Sequence, residues 1–201
     1  MINEVVIKLR TTQKSEDTNS LRALFSSGED TDVIDFITDG IYSYEDGTGM
    51  LRYVESSVTG LEGTTTTVYL NPEAVVVDRE GSLTSRMVFS EGHVDRSLYE
   101  TAFGSMEMNL VTNRMDVRFG PGGGTAEIDY EISCGGRRIG KNKFSISVEE
   151  SDTGIERTLP YLLGNLQLPP PDAKSAGKRM RRAMGRDIER VLKSREAKKN
   201  A

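Results

Sequence analysis

Five stretches of this chain place an apolar residue at every second position, and that spacing constrains its fold more than any other feature. Val5, Ile7 and Leu9 alternate with Val6 and Lys8. Met106, Met108 and Leu110 alternate with Glu107 and Asn109, and Met115, Val117 and Phe119 with Arg114, Asp116 and Arg118. Ala126, Ile128, Tyr130 and Ile132 are interleaved with Glu127, Asp129 and Glu131, and Phe144, Ile146 and Val148 with Lys143, Ser145 and Ser147. Successive side chains of a strand face opposite sides of a sheet. Each run therefore sets one face on a core and one in water.

Segments rich in Val, Ile, Thr and Tyr predict further strands at 33–43, 50–58, 64–70, 74–79, 84–90 and 93–99. Turn residues separate them: Glu45-Asp46-Gly47, Asn71-Pro72, Glu80-Gly81, Glu91-Gly92, the run from Gly120 to Gly124, and Gly135-Gly136. About ten short strands at hairpin spacing, without long crossover helices, predict an all-β antiparallel meander. Closing it into a barrel removes the edges that would otherwise invite aggregation.

Two segments break the pattern. Residues 14–30 are polar and acidic, with Leu21, Leu24 and Phe25 at helical spacing; they read as a loop rather than a short helix across a barrel end. After Glu150 an apolar stretch from Leu159 to Leu168 leads into Pro169-Pro170-Pro171, a stiff break. Asp172 then caps a predicted helix whose Ala173, Ala176, Met180, Met184, Ile188 and Val191 form one stripe. The expected organisation is a barrel domain over 1–150, a connector over 151–171 and a basic tail over 172–201.

Charge separates these parts. The net charge is -5, yet residues 172–201 carry eleven Lys or Arg against four acidic residues, leaving the remainder at -12. No stretch approaches the roughly 20 apolar residues of a membrane-spanning helix, and the N-terminus lacks the apolar core of a secretory signal. Cys134 is the only cysteine, which excludes an intramolecular disulfide and a thiolate metal cluster. A cytoplasmic setting is the expectation.

Catalytic constellations are scarce. His93 is the only histidine, no G-x-S-x-G turn accompanies it, and it follows Glu91-Gly92 at a strand start. Gly122-Gly123-Gly124-Thr125 lacks the lysine and following helix of a phosphate loop and reads as a hairpin connection. Glu127, Asp129 and Glu131 line one strand face, where carboxylates could hold Ca²⁺ or Mg²⁺. They lie opposite the Ile128 and Tyr130 face, so a solvated surface is expected. No catalytic residue, metal or cofactor is assigned, and the chain is not expected to be an enzyme.

A series of short motifs runs in order through the domain. Phe36-Ile37-Thr38-Asp39-Gly40-Ile41-Tyr42 precedes Tyr53-Val54-Glu55 and the run from Gly60 to Thr67. Arg79-Glu80-Gly81, Met87 to Gly92 and Leu98 to Gly104 follow, then Ile128-Asp129-Tyr130-Glu131-Ile132 and Asn142 to Val148. Over roughly residues 1–150 this series resembles the YwiB-like family, bacterial proteins of unknown function. The resemblance implies a calycin-like barrel near the lipocalins and fatty-acid-binding proteins, and a cytoplasmic setting. It supplies no catalytic residues. The 14–30 segment looks longer than the family's usual connection, and the tail lies outside the resemblance.

Within such a barrel Met87, Met106, Met108 and Met115 would either line a cavity or pack it shut, since methionine fills irregular gaps and suits adaptable apolar sites. Arg79 alternates with Val75 and Val77 and could neutralise a ligand carboxylate from inside. With Tyr130 these residues form the candidate ligand site. In the tail, Lys178, Arg179, Arg181 and Arg182 are the candidate polyanion contacts. Two functions stay open. One is a noncatalytic barrel binding a small apolar or amphipathic molecule. The other is an interaction protein with a packed barrel whose basic tail contacts RNA or a protein partner.

Overall fold

The computed structural model describes residues 2–15, 31–102 and 104–151, and nearly all of them lie in ten antiparallel strands. These are β1 (Ile2–Ser15), β2 (Thr31–Glu45), β3 (Thr48–Val54), β4 (Thr64–Asn71) and β5 (Ala74–Gly81). They continue as β6 (Leu83–Phe89), β7 (Val94–Thr101), β8 (Gly104–Gly120), β9 (Gly123–Cys134) and β10 (Arg137–Glu150). Each strand pairs with the next and β1 pairs with β10, so the expected meander closes into a barrel. The segment 16–30, the connector beyond Ser151 and the basic tail lie outside the described residues.

The alternating runs set the register. Ile7 lies opposite Val148, Leu9 opposite both Ile146 and Phe36, and Ile128 opposite Met115 and Phe144. Val5, Ile7, Leu51, Val68, Leu70, Val75 and Ile128 have essentially no exposed surface and pack into one interior cluster. Burying such side chains contributes roughly 1.5–3 kcal/mol each. Strand β2 packs closely against Ile7 and Arg52 at Gly40, which has no side chain. A Cβ there would sit 2.7 Å from the Arg52 carbonyl oxygen and 2.5 Å from the Ile7 Cδ1.

Two sequence expectations change. The runs beginning at Met106 and Met115 are a single strand, β8, whose inward positions switch from even to odd numbers. A bulge between Thr112 and Arg114 inserts the extra residue. Here the β6–β7 turn docks, with the Gly92 N–H donating to the Thr112 carbonyl and the Met115 N–H to the Glu91 carboxylate. The strand expected over 50–58 stops at Val54. Ser57–Thr59 form a 3-10 turn, capped by the Ser56 hydroxyl and ended by Gly60 in the left-handed conformation.

The wall is not uniform. The β1–β2 ladder runs from Ile2 opposite Ser43 to Lys14 opposite Thr31, whereas β6–β7 pairs only from Leu83 to Ser85. Further along, side chains take over from the ladder. The Val88 N–H donates to Asp95 Oδ2 at 3.0 Å, and the Ser97 hydroxyl donates to the Arg86 carbonyl at 2.6 Å. The outward faces differ too. On β1, β9 and β10 they carry ion pairs such as Lys8–Glu149, Arg138–Glu131 and Lys143–Glu127. Across β3 to β6 the outward row is Met50, Tyr69, Val76 and Val88, each opposite the next.

Candidate functional site: the polar end of the barrel interior

Cross-strand register brings a polar belt together inside one end of the barrel. Tyr53 on β3 lies opposite Thr66 on β4, Thr66 opposite Arg79 on β5, and Arg79 opposite Ser85 on β6. Ser85 lies opposite Tyr99 on β7, and Tyr99 opposite Met106 on β8. These positions share the inward face with Leu51, Val68, Leu70, Val75, Val77 and Met87, which fill the barrel further in. The belt is thus the polar continuation of the core.

Glu55, just past the end of β3, completes it. Its carboxylate is 3% exposed and accepts a hydrogen bond from the Thr66 hydroxyl at 2.6 Å. The Arg79 Nε lies 3.8 Å from the same oxygen, within ion-pair range but too far for a hydrogen bond, and is buried without a hydrogen-bond partner. The Ser85 hydroxyl is also buried without a partner. Orphaned buried polar atoms cost about 1–3 kcal/mol each, so their appearance side by side on facing positions needs a cause.

Three tyrosines surround this pair. Burial pushes the Tyr53 hydroxyl pKa upward, reinforced by the Glu55 charge. Burial likewise raises that of Tyr99, opposed by the Arg79 guanidinium beside it. The Tyr130 pKa is pushed up to about 12 by burial, with Tyr99 adding and Arg79 opposing. All three remain neutral phenols near neutrality, able to donate and accept. Tyr99 donates to the Met87 sulfur at 2.9 Å, a weak acceptor that a better one could replace. Tyr130 packs edge-on against Phe89 with ring centroids 5.0 Å apart.

A pocket of about 180 Å³ opens at this end, lined by Leu9, Phe36, Tyr53, Glu55, Arg79 and Phe144 among others. Its walls are apolar on the β1, β2 and β10 side and polar around Arg79. That volume corresponds to about six water molecules at roughly 30 Å³ each. The interior is therefore filled by the core cluster further in and opens into this pocket at its polar end.

Of the sequence candidates, Arg79, Met87 and Tyr130 come together around Tyr99. Arg79 points inward as the alternation implied. Met108 is buried, and Met115 packs partly buried against the core further along the barrel. Met106 does not join them: it is 46% exposed, because it stands two residues into β8 on the rim, where the wall outruns the core. Lys178, Arg179, Arg181 and Arg182 lie outside the described residues. Sequence reasoning missed Glu55, Thr66, Ser85 and Tyr99. The signal was present for the first two, since Leu51, Tyr53 and Glu55 share one face, as do Leu70, Val68 and Thr66.

The bland expectations for other motifs agree with the geometry. Pro121 and Gly122 form the β8–β9 turn. Glu127 and Glu131 point outward, paired with Lys143 at 2.9 Å and Arg138 at 3.1 Å. The Lys143 pKa rises through its hydrogen bond to Glu127.

The model of the family described as a domain of unknown function, DUF1934, matches residues 20–146. The chain belongs to the DUF1934 family. This bears out the YwiB-like resemblance. Among solved structures, the YwiB protein from Bacillus subtilis matches at 19% identity and a TM-score of 0.62, covering 75% of this chain and 93% of that one. At that identity the likeness shows a shared barrel fold and nothing of its contents. No curated protein matches the chain. The DUF1934 match spans Glu55, Thr66, Arg79, Ser85, Tyr99 and Tyr130, so the whole polar belt lies within the family domain.

Proposed function

We propose that this DUF1934 barrel is a noncatalytic binding module for a small amphipathic molecule with an uncharged polar head. The observation that carries this reading is the buried Arg79 Nε, without a hydrogen-bond partner and 3.8 Å from Glu55 Oε1 at the wall of a pocket. A group that both accepts and donates, such as an amide or a hydroxyl, would accept a hydrogen bond from Arg79 Nε and donate one to the Glu55 carboxylate. Its apolar body would lie against Leu9, Phe36 and Phe144.

Charge sets the head-group preference. A carboxylate would approach Arg79 only by coming close to the Glu55 carboxylate, which solvent barely reaches. Like charges in such surroundings repel strongly. The sequence suggested a ligand carboxylate at Arg79; Glu55 argues against it. Pocket volume limits size, since sites for drug-sized ligands run to roughly 300–1,000 Å³.

Titrating the full chain with hexanamide, hexanol and hexanoate, followed by the NMR signals of Arg79 Nε–H and the Tyr99 ring, tests both statements. Saturable shifts with the amide or alcohol are expected, and none with hexanoate. Glu55→Gln should let hexanoate bind. If none of the three binds the parent chain, the binding reading is wrong. If hexanoate binds best, the pocket stands and the neutral-head argument is lost.

A further inference from the structure

The outward row Met50–Tyr69–Val76–Val88 is out of place on a barrel exterior. Val76 points away from the interior yet is 0% exposed, with Val88 at 5% and Met50 at 9%. Val76 and Val88 form a hydrophobic cluster of their own, with Tyr69 packed against it. All ten strands are in the wall, so no described strand lies over this face.

The adjacent outward row is Ile41, Arg52, Thr67, Asp78 and Arg86, again each opposite the next. Asp78 and Arg86 pair with each other at 2.6 Å. Arg52 is different: its Nε and Nη2 are buried without a partner. Whatever covers this face must bring apolar side chains to one row and an acceptor oxygen to the other.

We propose that the occupant is this chain's own connector, with the apolar stretch from Leu159 to Leu168 lying across the Met50–Tyr69–Val76–Val88 row. The described chain ends at Ser151, whose N–H donates to the Glu4 carbonyl at the end of the barrel where β3 begins and β4 ends. The row lies near that end, two residues into β3 at Met50 and two from the end of β4 at Tyr69. Eight residues from Ser151 to Leu159 span up to about 26 Å when extended. Ten strands at about 4.8 Å spacing and a tilt near 40° enclose a barrel roughly 20 Å across, so the connector reaches.

Composition selects the connector over the basic tail. Asp152 and Glu156 precede the apolar residues and supply acceptors for Arg52. Residues 172–201, with their surplus of positive charge, would repel it. The connector thus matches both rows, whereas the tail's charge opposes the Arg52 row.

The test uses the full chain with Cys134→Ser and Leu163→Cys, carrying a nitroxide on the new cysteine. The amide signals of Met50, Tyr69, Val76 and Val88 should lose most of their intensity, while those of Glu127, Asp129 and Ser145 keep theirs. Dilution with unlabelled, isotope-silent chain should leave the losses unchanged. Losses that vanish on dilution would show a second copy on this face and overturn the proposal. Uniform losses, or none, with the label at Leu163 and again with Leu166→Cys, would overturn it as well.

Discussion

The two sides of the barrel wall solve the same packing problem with different residues. On β1, β9 and β10 most apolar side chains point in and the outward positions are largely polar or charged, with Lys8, Glu127 and Lys143 in water. On β3 to β6 apolar residues occupy both faces: Met50 with Leu51, Tyr69 with Leu70, Val76 with Val75 and Val77, Val88 with Met87 and Phe89. Strands that alternate are covered once, whereas strands that read as continuous apolar runs are covered twice. The difference teaches that the barrel has one interior and one additional buried face.

The strongest way to break this comparison is to charge each buried face in turn. Ile128→Asp puts a carboxylate where no surface is exposed, among Met115, Ala126 and Phe144. The cost of several kcal/mol rivals the whole stability of a domain, so the variant should fail to fold. Ser145→Asp, on the outward face of β10 opposite Arg10 and Glu127, should melt like the parent. Equal melts for the two would mean that the β9–β10 register is wrong by one residue.

Val76→Asp comes next in size. An exterior residue would tolerate the change, but a twice-covered strand should lose about 2–4 kcal/mol. Thermal melts of Val76→Asp beside Glu127→Asp read the two outer faces directly. A parent-like melt for Val76→Asp would show that the outer row is not buried in solution.

Much of this arrangement was legible from residues alone. Alternation on β1, β9 and β10 marks the inward face without ambiguity, because Lys8, Glu127 and Lys143 cannot sit in a core. The Val75-Val76-Val77 run was readable as a strand but not as a doubly covered one, since alternation says nothing where both faces are apolar. The β8 bulge was hidden because each half-run is regular by itself. Arg79 could be placed inside by its spacing from Val75 and Val77. Which residues it meets could not be read, because Glu55, Ser85 and Tyr99 come to it only through the closed register of β3 to β7. The β6–β7 seam, where Asp95 and Ser97 replace ladder bonds, has no period to read.

A smaller effect comes from the polar end itself. Tyr130 has a folded-state pKa of about 12, raised chiefly by burial above the ordinary phenol value near 10. A raised folded pKa means that the native state holds its proton more tightly than the unfolded chain. The stabilisation is complete below about pH 10 and falls as pH rises from there towards 12, because the unfolded phenol ionises first. Tyr53 and Tyr99 shift in the same direction for the same leading cause. Tyr130→Phe should therefore make the loss of melting temperature across this window shallower, with little change at pH 7. An identical slope in parent and variant would place Tyr130 in water.

The smallest effect belongs to the rim. Met106 and Met108 share one face of β8, two residues apart, yet one is 46% exposed and the other 8%. Truncating a buried methionine forfeits its transfer free energy and leaves a cavity, typically about 2–5 kcal/mol. Truncating a half-solvated one at an open end removes little burial and leaves no cavity, because water fills the space. Met106→Ala should therefore change stability by about 0.5 kcal/mol or less, the range of ordinary surface substitutions. Its melt is the control that locates the boundary between filled core and open mouth. Should Met106→Ala cost as much as Met108→Ala, the core would extend past the belt to the rim. The polar end would then be closed, and a ligand would have no way to reach Arg79.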